Sequence, residues 1–364
     1  MVARHAEAAI AGSDRSVADL GEWGVIAALA GRMPVGPLTT VGIGDDAAVV
    51  TTPSGGVVAA VDMLLEGRHF LLDRSSAHDI GVKAAARSLT DIAAMGAVNT
   101  ALLVALAAPG TLPASWATDL ADGLAAEATR AGAGVVGGDT ARADLVMLSV
   151  TALGDLEGRA PVLRSGARPG DVVAAAGPLG RSAAGLALLD AGLGGGSAPS
   201  GSAPAHPDLV AAHLRPAPPY DAGPEAALLG ATAMIDVSDG LVADIGHVAA
   251  ASGVQVEISA RALEAGPLVA AAESVLAVRV PAGTGSVGPG AVGPAGPAGT
   301  EPSAAALART WVLTGGEDHS LVASFPPSVE LPPRWRIIGE VRPGEGVTVD
   351  GVPYAGAGGW QHFT

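Results

Sequence analysis

The sequence contains no cysteine, a single lysine (Lys83), few aromatic residues and no long apolar run. The absence of cysteine excludes disulfide bonds, thiolate metal sites and cysteine nucleophiles. Its 20 Lys and Arg residues against 36 Asp and Glu give a net charge of −16, so the basic stripe of a general nucleic-acid-binding protein is missing. The longest apolar run, residues 101–108, is far shorter than the ~18–20 residues that span a membrane. Charged residues also interrupt any signal-peptide core near the N-terminus. We therefore expect a soluble, cytoplasmic protein that binds neither nucleic acid nor membranes.

Glycine and proline, by contrast, are abundant and unevenly distributed. A chain of 364 residues usually folds as two domains, and a change in pattern predicts domains 1–155 and 156–364. Two stretches, 191–206 and 281–303, consist mainly of Gly, Pro, Ser and Ala. Neither can bury enough apolar surface to offset the entropy of ordering it, so we predict flexible insertions there.

The remainder of the sequence alternates between strand-like and helix-like segments. This alternation predicts a two-domain α+β or α/β protein. One helix is predicted over 80–95, with Asp79 as its N-cap and Gly96 just beyond its end. Further helices are predicted at 113–131, 182–190 and 241–251. Strands are predicted at 57–61, 101–107, 145–153, 172–176, 232–236, 254–258, 311–313 and 321–325.

A short apolar strand followed by a turn that carries an acidic residue is the pattern that recurs most often. The acidic residues of these turns are Asp45, Asp46, Asp62, Asp139, Asp236, Asp239, Glu317 and Asp318. Such carboxylates suit Mg²⁺, which prefers oxygen ligands and often joins them to substrate phosphates. A single Gly-Asp pair is nevertheless an ordinary turn former, so each motif alone has a structural interpretation.

Asp91 differs from the others because it lies in an apolar helical segment, where an unpaired carboxylate is costly. Lys83 and Arg87 precede it by eight and four residues, so a structural salt bridge is the alternative to metal binding.

Eight segments, read in order, resemble the thiamine-monophosphate kinase family. The segments are GIGDDAAVV (42–50), VDMLLEGRHF (61–70), KAAARSLTDIAAMGA (83–97), GGDT (137–140), GRAPVLRSGARPGD (158–171), IDVSDGLVADIGHVAAASG (235–253), LTGGEDHSL (313–321) and GGWQHF (358–363). The acidic pieces are shared with a wider superfamily that includes aminoimidazole-ribonucleotide synthetase, selenophosphate synthetase and the hydrogenase-maturation dehydratase.

The resemblance implies a fold and a reaction. Its N-terminal domain would combine a sheet with helices and pair that sheet with a second subunit's to form a barrel-like homodimer, and its C-terminal α/β domain would contain a mixed sheet. The implied reaction is ATP + thiamine phosphate → ADP + thiamine diphosphate, the last step of thiamine diphosphate biosynthesis. Transfer would be direct and in line, assisted by several Mg²⁺ ions, without a protein nucleophile or base.

Site residues follow from the motif positions. The implied metal ligands are Asp46, Asp62, Asp91, Asp139, Asp236 and Asp239. ATP contacts would come from Gly138, Asp139, Arg164 and Ser238, and thiamine phosphate contacts from His69, Glu317 and Trp360.

Four of the implied contact residues have a structural alternative. His69 could simply pack at a strand end, Trp360 could plug the core, Arg164 could pair with Asp171, and Glu317 could cap a turn. The histidines outside the motifs are interpreted as surface residues, namely His5, His78, His206 and His213.

Four positions depart from the family pattern. Ala60 and Val61 stand where the family has hydroxyl residues, Ser88 begins a segment that normally starts with Asn, and His319 replaces Tyr. Two alternatives stay open. One is another ATPase of the superfamily, although the selenium enzyme and the dehydratase need a cysteine that is missing here. The other is an acidic cation-binding module without catalysis.

Overall fold

The computed structural model describes residues 16, 29, 31–41, 49–194, 205–278, 302–354 and 359. The chain divides into two compact units, Met1–Ala160 and Pro161–Thr364. Each contains a mixed sheet with helices, so the expectation of a two-domain α/β protein is confirmed. Of the predicted flexible insertions, positions 195–204 and 281–301 lie outside the described residues.

The N-terminal unit is built on a four-stranded sheet with the strand order β3-β6-β4-β5. Strand β4 pairs in parallel with β5 and antiparallel with β6, and β3 pairs antiparallel with β6. A separate antiparallel pair, β1 and β2, precedes this sheet in the chain. The strands are β1 (Thr39–Val41), β2 (Val49–Val50), β3 (Val58–Leu65), β4 (Val98–Ala108), β5 (Gly134–Arg142) and β6 (Met147–Asp155).

Two helices, α1 (Ala77–Ala94) and α2 (Ala114–Arg130), pack against each other, and α1 lies against β3 and β6. The N-cap of α1 is Ser76 and not Asp79 as predicted. The Ser76 side chain accepts the N–H of Asp79, while the Asp79 carboxylate accepts the N–H of Ser76 at 3.1 Å. This reciprocal capping box explains why both residues favour a helix start at this point.

The C-terminal unit is built on a seven-stranded sheet with the order β13-β12-β9-β11-β7-β10-β8. Only the β12–β9 pairing is parallel among the pairs of this sheet in the described chain. The strands are β7 (Val172–Ala176), β8 (Ala233–Val237), β9 (Gln255–Ile258), β10 (Ser320–Phe325), β11 (Trp335–Arg342), β12 (Gly346–Val349) and β13 (Val352–Pro353). The helices are α3 (Arg181–Asp190), α4 (Pro207–Leu214), α5 (Ala222–Leu229), α6 (Leu241–Ser252), α7 (Gly266–Val278) and α8 (Ala304–Thr314).

One predicted strand is wrong. Residues 311–313 form the last turn of α8, whose first turn is capped by Ser303 through a bond from the N–H of Ala306 (3.2 Å). The Trp-Val-Leu triplet favours a strand by itself, but the alanine-rich residues before it favour a helix. Helical packing buries Leu307 together with Trp311, four residues later. Among the described residues, no helix has the length and low polarity needed to cross a membrane.

Candidate active site

Asp62 lies in the middle of β3, where Val150 of β6 is its neighbour across the sheet. The sequence predicted that Asp62 ends its strand, but apolar residues continue the strand to Leu65. Its half-buried carboxylate is contacted by α1: Oγ of Ser88 lies 3.0 Å from Oδ2, and Nη2 of Arg87 lies 3.8 Å from Oδ1. The orientation of Asp62 is therefore fixed by a hydroxyl and a guanidinium group from the helix.

Asp91 lies one helical turn after these two residues, at i+3 from Ser88 and i+4 from Arg87. Residues at this spacing share one face of a helix. The structure thus places Asp91 on the face of α1 that contacts Asp62. Arg87, one of the two predicted partners of Asp91, also lies beside Asp62.

Asp139 occupies a different face of the same sheet. The sequence predicted a turn at residues 137–139, but these residues belong to β5 because β4 pairs with them in parallel. Asp139 pairs with Ala105 of β4, and Ala105 pairs on its other side with Ser149 of β6. Asp62 of β3 pairs with Val150, the next residue of β6. Because side chains alternate between the faces of a strand, Asp139 points away from the face that carries Asp62. Both Asp139 and Gly138 are exposed.

His69 is held in a turn that directly follows β3. The turn closes through the N–H of Gly67, which donates to the carbonyl oxygen of Phe70 (2.9 Å), and Phe70 itself is buried. Nδ1 of His69 accepts the N–H of Leu65 at 3.0 Å. Since Nδ1 is an acceptor, the neutral ring carries its proton on Nε2. His69 is thereby oriented as a hydrogen-bond donor through Nε2.

In the C-terminal unit, Asp236 and Asp239 flank the end of β8. Asp236 is 5% exposed, and its Oδ2 lies 3.5 Å from Nδ1 of the buried His319. The turn after β8 is fixed by Asp244, whose Oδ2 accepts the N–H groups of Asp239 (3.1 Å) and Gly240 (2.9 Å). Sequence reasoning missed Asp244, although it lies in the segment 235–253 that carries the resemblance.

These three aspartates make the end of β8 strongly acidic. Burial, followed by the charges of Asp236 and Asp239, raises the pKa of Asp244 to about 8. Such repulsion between carboxylates is relieved when a cation binds among them. The donor set consists of oxygen atoms, which fits Mg²⁺. Within the described part of the chain, however, no three His, Asp or Glu side chains stand close enough together to hold a metal ion.

A second turn, residues 315–319, packs backbone to backbone on the turn after β8. The N–H of Glu317 donates to the carbonyl oxygen of Ser238 (2.8 Å), and that of His319 donates to Val237 (2.9 Å). A Cβ on Gly316 would lie 2.5 Å from the carbonyl oxygen of Ser238, so this approach needs glycine. Glu317 and His319 both have positive φ angles, of 64° and 52°. Strained residues of this kind persist where the surrounding structure enforces them.

Consecutive residues of this turn point their carboxylates to different surroundings. The Asp318 carboxylate is buried and accepts the N–H groups of Gly180 and Ser182 at the start of α3. Burial raises the pKa of Asp318 to about 7, against the opposing effect of these bonds. The Glu317 carboxylate is 24% exposed, and its Oε2 lies 3.6 Å from Nδ1 of His213. Asp318 therefore anchors the turn, while Glu317 is the carboxylate that a ligand can reach.

Arg164 is exposed and forms no ion pair with a described residue. Arg164 does not pair with Asp171, the structural alternative to ATP binding. Asp171 is instead buried and accepts the N–H of Arg168 (2.9 Å) and the hydroxyl of Thr232 (2.7 Å). The guanidinium of Arg164 is therefore accessible to an anionic ligand.

Two predicted site residues, Asp46 and Trp360, lie outside the described residues. Gly359, which precedes Trp360, is described and buried. A Cβ at Gly359 would lie 2.3 Å from the carbonyl oxygen of Asp239. Gly359 thus lies against the turn that carries Ser238 and Asp239.

Two family models match the chain. The model "AIR synthase related protein, N-terminal domain" matches residues 44–156, and "AIR synthase related protein, C-terminal domain" matches residues 168–283.

Similar proteins cover almost the full length of the chain. The thiamine-monophosphate kinase of Mycobacterium tuberculosis is 45% identical over 347 residues, covering 94% of this chain and 92% of the relative. That of Corynebacterium glutamicum is 37% identical, covering 96% of this chain and 95% of the relative. A solved structure, "AaThiL complexed with AMPPCP and TMP", superimposes with a TM-score of 0.69 at 31% identity, covering 95% of this chain and 98% of that one.

Proposed function

Since this chain belongs to the thiamine-monophosphate kinase family, we propose that it transfers the γ-phosphoryl group of ATP to thiamine phosphate, giving ADP and thiamine diphosphate. The observation that carries this proposal is the 45% identity to a kinase of that name over 94% of the chain. The reaction is the last step of thiamine diphosphate biosynthesis. ATP is a co-substrate in it.

The acceptor is an oxygen of the thiamine phosphate group, and this fact determines what the protein must do. A phosphate monoester with a second pKa of about 6 is mostly ionised near neutral pH. No general base is needed, and direct in-line transfer requires alignment of two anions that repel each other. Gly138, Asp139, Arg164 and Ser238 are proposed as ATP contacts, and the exposed guanidinium of Arg164 suits the phosphate groups.

The proposed metal ligands are Asp46, Asp62, Asp91 and Asp139 of the N-terminal unit and Asp236 and Asp239 of the C-terminal unit. Since Asp62 and Asp139 point to opposite faces of their sheet, we assign them to different Mg²⁺ ions. When bound, Mg²⁺ supplies positive charge between carboxylates and phosphates and so lowers the repulsion between donor and acceptor. The acidic end of β8 supports this assignment, because the neighbouring charges of Asp236 and Asp239 contribute to the raised pKa of Asp244. Ser88 and Arg87 support it for Asp62, since they hold its carboxylate in one orientation.

Recognition of thiamine phosphate is assigned to His69, Glu317 and Trp360. The partly exposed Glu317 carboxylate supplies negative charge opposite the cationic thiazolium ring. His69 presents a donor at Nε2 because its Nδ1 is occupied by a backbone N–H. An aromatic face at Trp360 suits a planar, cationic ring.

We also propose that a second copy of the chain covers the open face of the N-terminal sheet, giving the barrel-like homodimer of the family. Val61 is 63% exposed and Met63 is 49% exposed, although both lie on a central stretch of β3. Neighbouring apolar side chains that remain exposed on one face of a sheet favour burial against a partner. Val61→Asp is expected to yield monomers in a light-scattering measurement, and a dimer of unchanged stability would contradict this assembly.

The N-terminal unit is accordingly proposed as the ATP, Mg²⁺ and dimerisation domain. A cytoplasmic location is proposed because the enzyme uses ATP and because a chain without cysteine suits a reducing compartment.

The test of the reaction is a substrate panel. The purified protein with ATP and Mg²⁺ is offered thiamine phosphate, thiamine or an aminoimidazole precursor, and ADP release is measured. We expect ADP only with thiamine phosphate. Turnover with the aminoimidazole precursor instead would assign the chain to another activity of the superfamily.

A further inference from the structure

A buried histidine lies between two helices of the C-terminal unit. His213, on α4, is 8% exposed, so its interpretation as a surface residue is wrong. It was missed because α4 was not predicted, and burial on one helical face was therefore not visible. Leu209 and His213, one helical turn apart, both face inward.

A close approach of α3 and α4 brings this histidine to the candidate active site. At Gly185 of α3, an added Cβ would lie 2.1 Å from the carbonyl oxygen of Leu209 and 2.9 Å from Cβ of His213. Because glycine lets the helices approach, the imidazole ring reaches Ser182 in the first turn of α3. Nδ1 of His213 lies 3.0 Å from the hydroxyl oxygen of Ser182.

The same nitrogen faces Glu317. Its distance of 3.6 Å to Oε2 of Glu317 is longer than a hydrogen bond, and the contact is an ion pair only when the ring is protonated. Ser182 is 1% exposed, and its N–H donates to Asp318 at 2.8 Å. Ser182 therefore connects the ring to the turn that carries Glu317, both through its hydroxyl and through its backbone.

We propose that His213 is a positioning residue for Glu317, which it holds in the orientation that meets the cationic ring of thiamine phosphate. This inference rests on the proposed function and on the assignment of Glu317 to substrate binding. The Glu317 side chain has three rotatable bonds and is only partly buried, so it has rotameric freedom to lose. The imidazole ring of His213 is held by Ser182, and its contact with Oε2 of Glu317 restricts that freedom before the substrate binds. His213 itself needs no contact with the substrate.

The proposal makes a specific statement about which kinetic constant changes. Loss of His213 alters recognition of thiamine phosphate and leaves ATP binding unaffected. We expect His213→Leu to raise the KM for thiamine phosphate about three- to fivefold, the size of a partly exposed electrostatic contact. The KM for ATP and kcat stay within about twofold of the wild type.

A matched pair of amide variants tests the role of Nδ1. The amide nitrogen of Asn at position 213 comes near the place of Nδ1, whereas that of Gln comes near the place of Nε2. His213→Asn is expected to keep a KM close to that of the wild type, and His213→Gln to resemble His213→Leu. Equal KM values for the two amide variants would overturn the proposal. Because both variants are polar and neutral, this comparison holds even where His213→Leu fails to fold.

A double-mutant cycle with Glu317→Gln shows whether the effect passes through Glu317. We expect Glu317→Gln to raise the KM for thiamine phosphate about tenfold, and the double variant His213→Leu/Glu317→Gln to add less than twofold to that. A multiplicative effect would overturn the positioning role. An unchanged KM in Glu317→Gln would overturn it as well, by removing Glu317 from the substrate. Failure of the proposed function is distinct, since the wild-type protein would then form no thiamine diphosphate.

Discussion

Asp318 offers a sharp prediction because it is a buried carboxylate at the start of a helix. It is 4% exposed and accepts the N–H groups of Gly180 and Ser182. Burial raises the pKa of Asp318 to about 7, so the folded protein keeps this group protonated at pH values where the unfolded chain ionises it. The replacement Asp318→Asn keeps the shape of the protonated acid but does not titrate.

The sign and size of the effect follow from linkage. Between the unfolded pKa of 3.8 and the folded value of about 7, the folded state binds the proton and the unfolded state has released it. The free energy of unfolding therefore falls as the pH rises through this window, by about 1.4 kcal/mol per pH unit. Across the whole window, the titration of Asp318 lowers the free energy of unfolding by about 4 kcal/mol. Below pH 3.8 its contribution is fully present.

Urea unfolding of the wild type and of Asp318→Asn, followed by tryptophan fluorescence, measures this term. The stability advantage of the wild type over the variant should shrink by about 3 kcal/mol between about pH 5 and about pH 8. The Asn side chain has one acceptor oxygen fewer for the N–H groups of Gly180 and Ser182, which lowers the free energy of unfolding of the variant by about 1–3 kcal/mol at all pH values. A difference between the two proteins that stays constant across this range would refute the reasoning.

Three further predictions concern the candidate active site. Asp62→Asn should lower kcat by on the order of 100-fold or more while the melting temperature stays close to that of the wild type. As a control, replacement of the exposed Asp144 by Asn should leave kcat unchanged. Equal activity of both variants would remove Asp62 from the site. Arg164→Ala should raise the KM for ATP about tenfold. The control is Arg168→Ala, which removes another exposed arginine nearby and should leave the KM for ATP unchanged. Trp360→Ala should raise the KM for thiamine phosphate about tenfold and Trp360→Phe should restore most of it, while a fall in melting temperature with unchanged KM would indicate a core role instead.

Local signals in the sequence predicted most elements of the structure. The helix expected at 80–95 is α1, which begins three residues earlier because Ser76 and Asp79 form a capping box. Strand β7 lies at residues 172–176, as its apolar run predicted. Such elements are encoded by neighbouring residues, whose propensity and capping can be read in a short window.

Contacts between distant residues could not be predicted in the same way. Ser88 was noted only as a departure from the family pattern, yet its hydroxyl contacts Asp62, 26 positions away. Asp139 could be placed on its sheet face only once the parallel pairing of β4 and β5 was known. His213 contacts Ser182 across 31 positions through a helix that the sequence pattern did not reveal. Pairing and packing of this kind depend on register and on helix approach, which composition does not specify.

The most direct test of the central claim follows the phosphoryl group itself. The wild-type protein is incubated with Mg²⁺, thiamine phosphate and ATP labelled in its γ-phosphoryl group, and the products are identified by phosphorus NMR and chromatography. We predict one ADP for each thiamine diphosphate, with the label in the terminal phosphate of thiamine diphosphate. Release of labelled orthophosphate with unchanged thiamine phosphate, or formation of AMP in place of ADP, would contradict the claim that this chain is a kinase acting on thiamine phosphate.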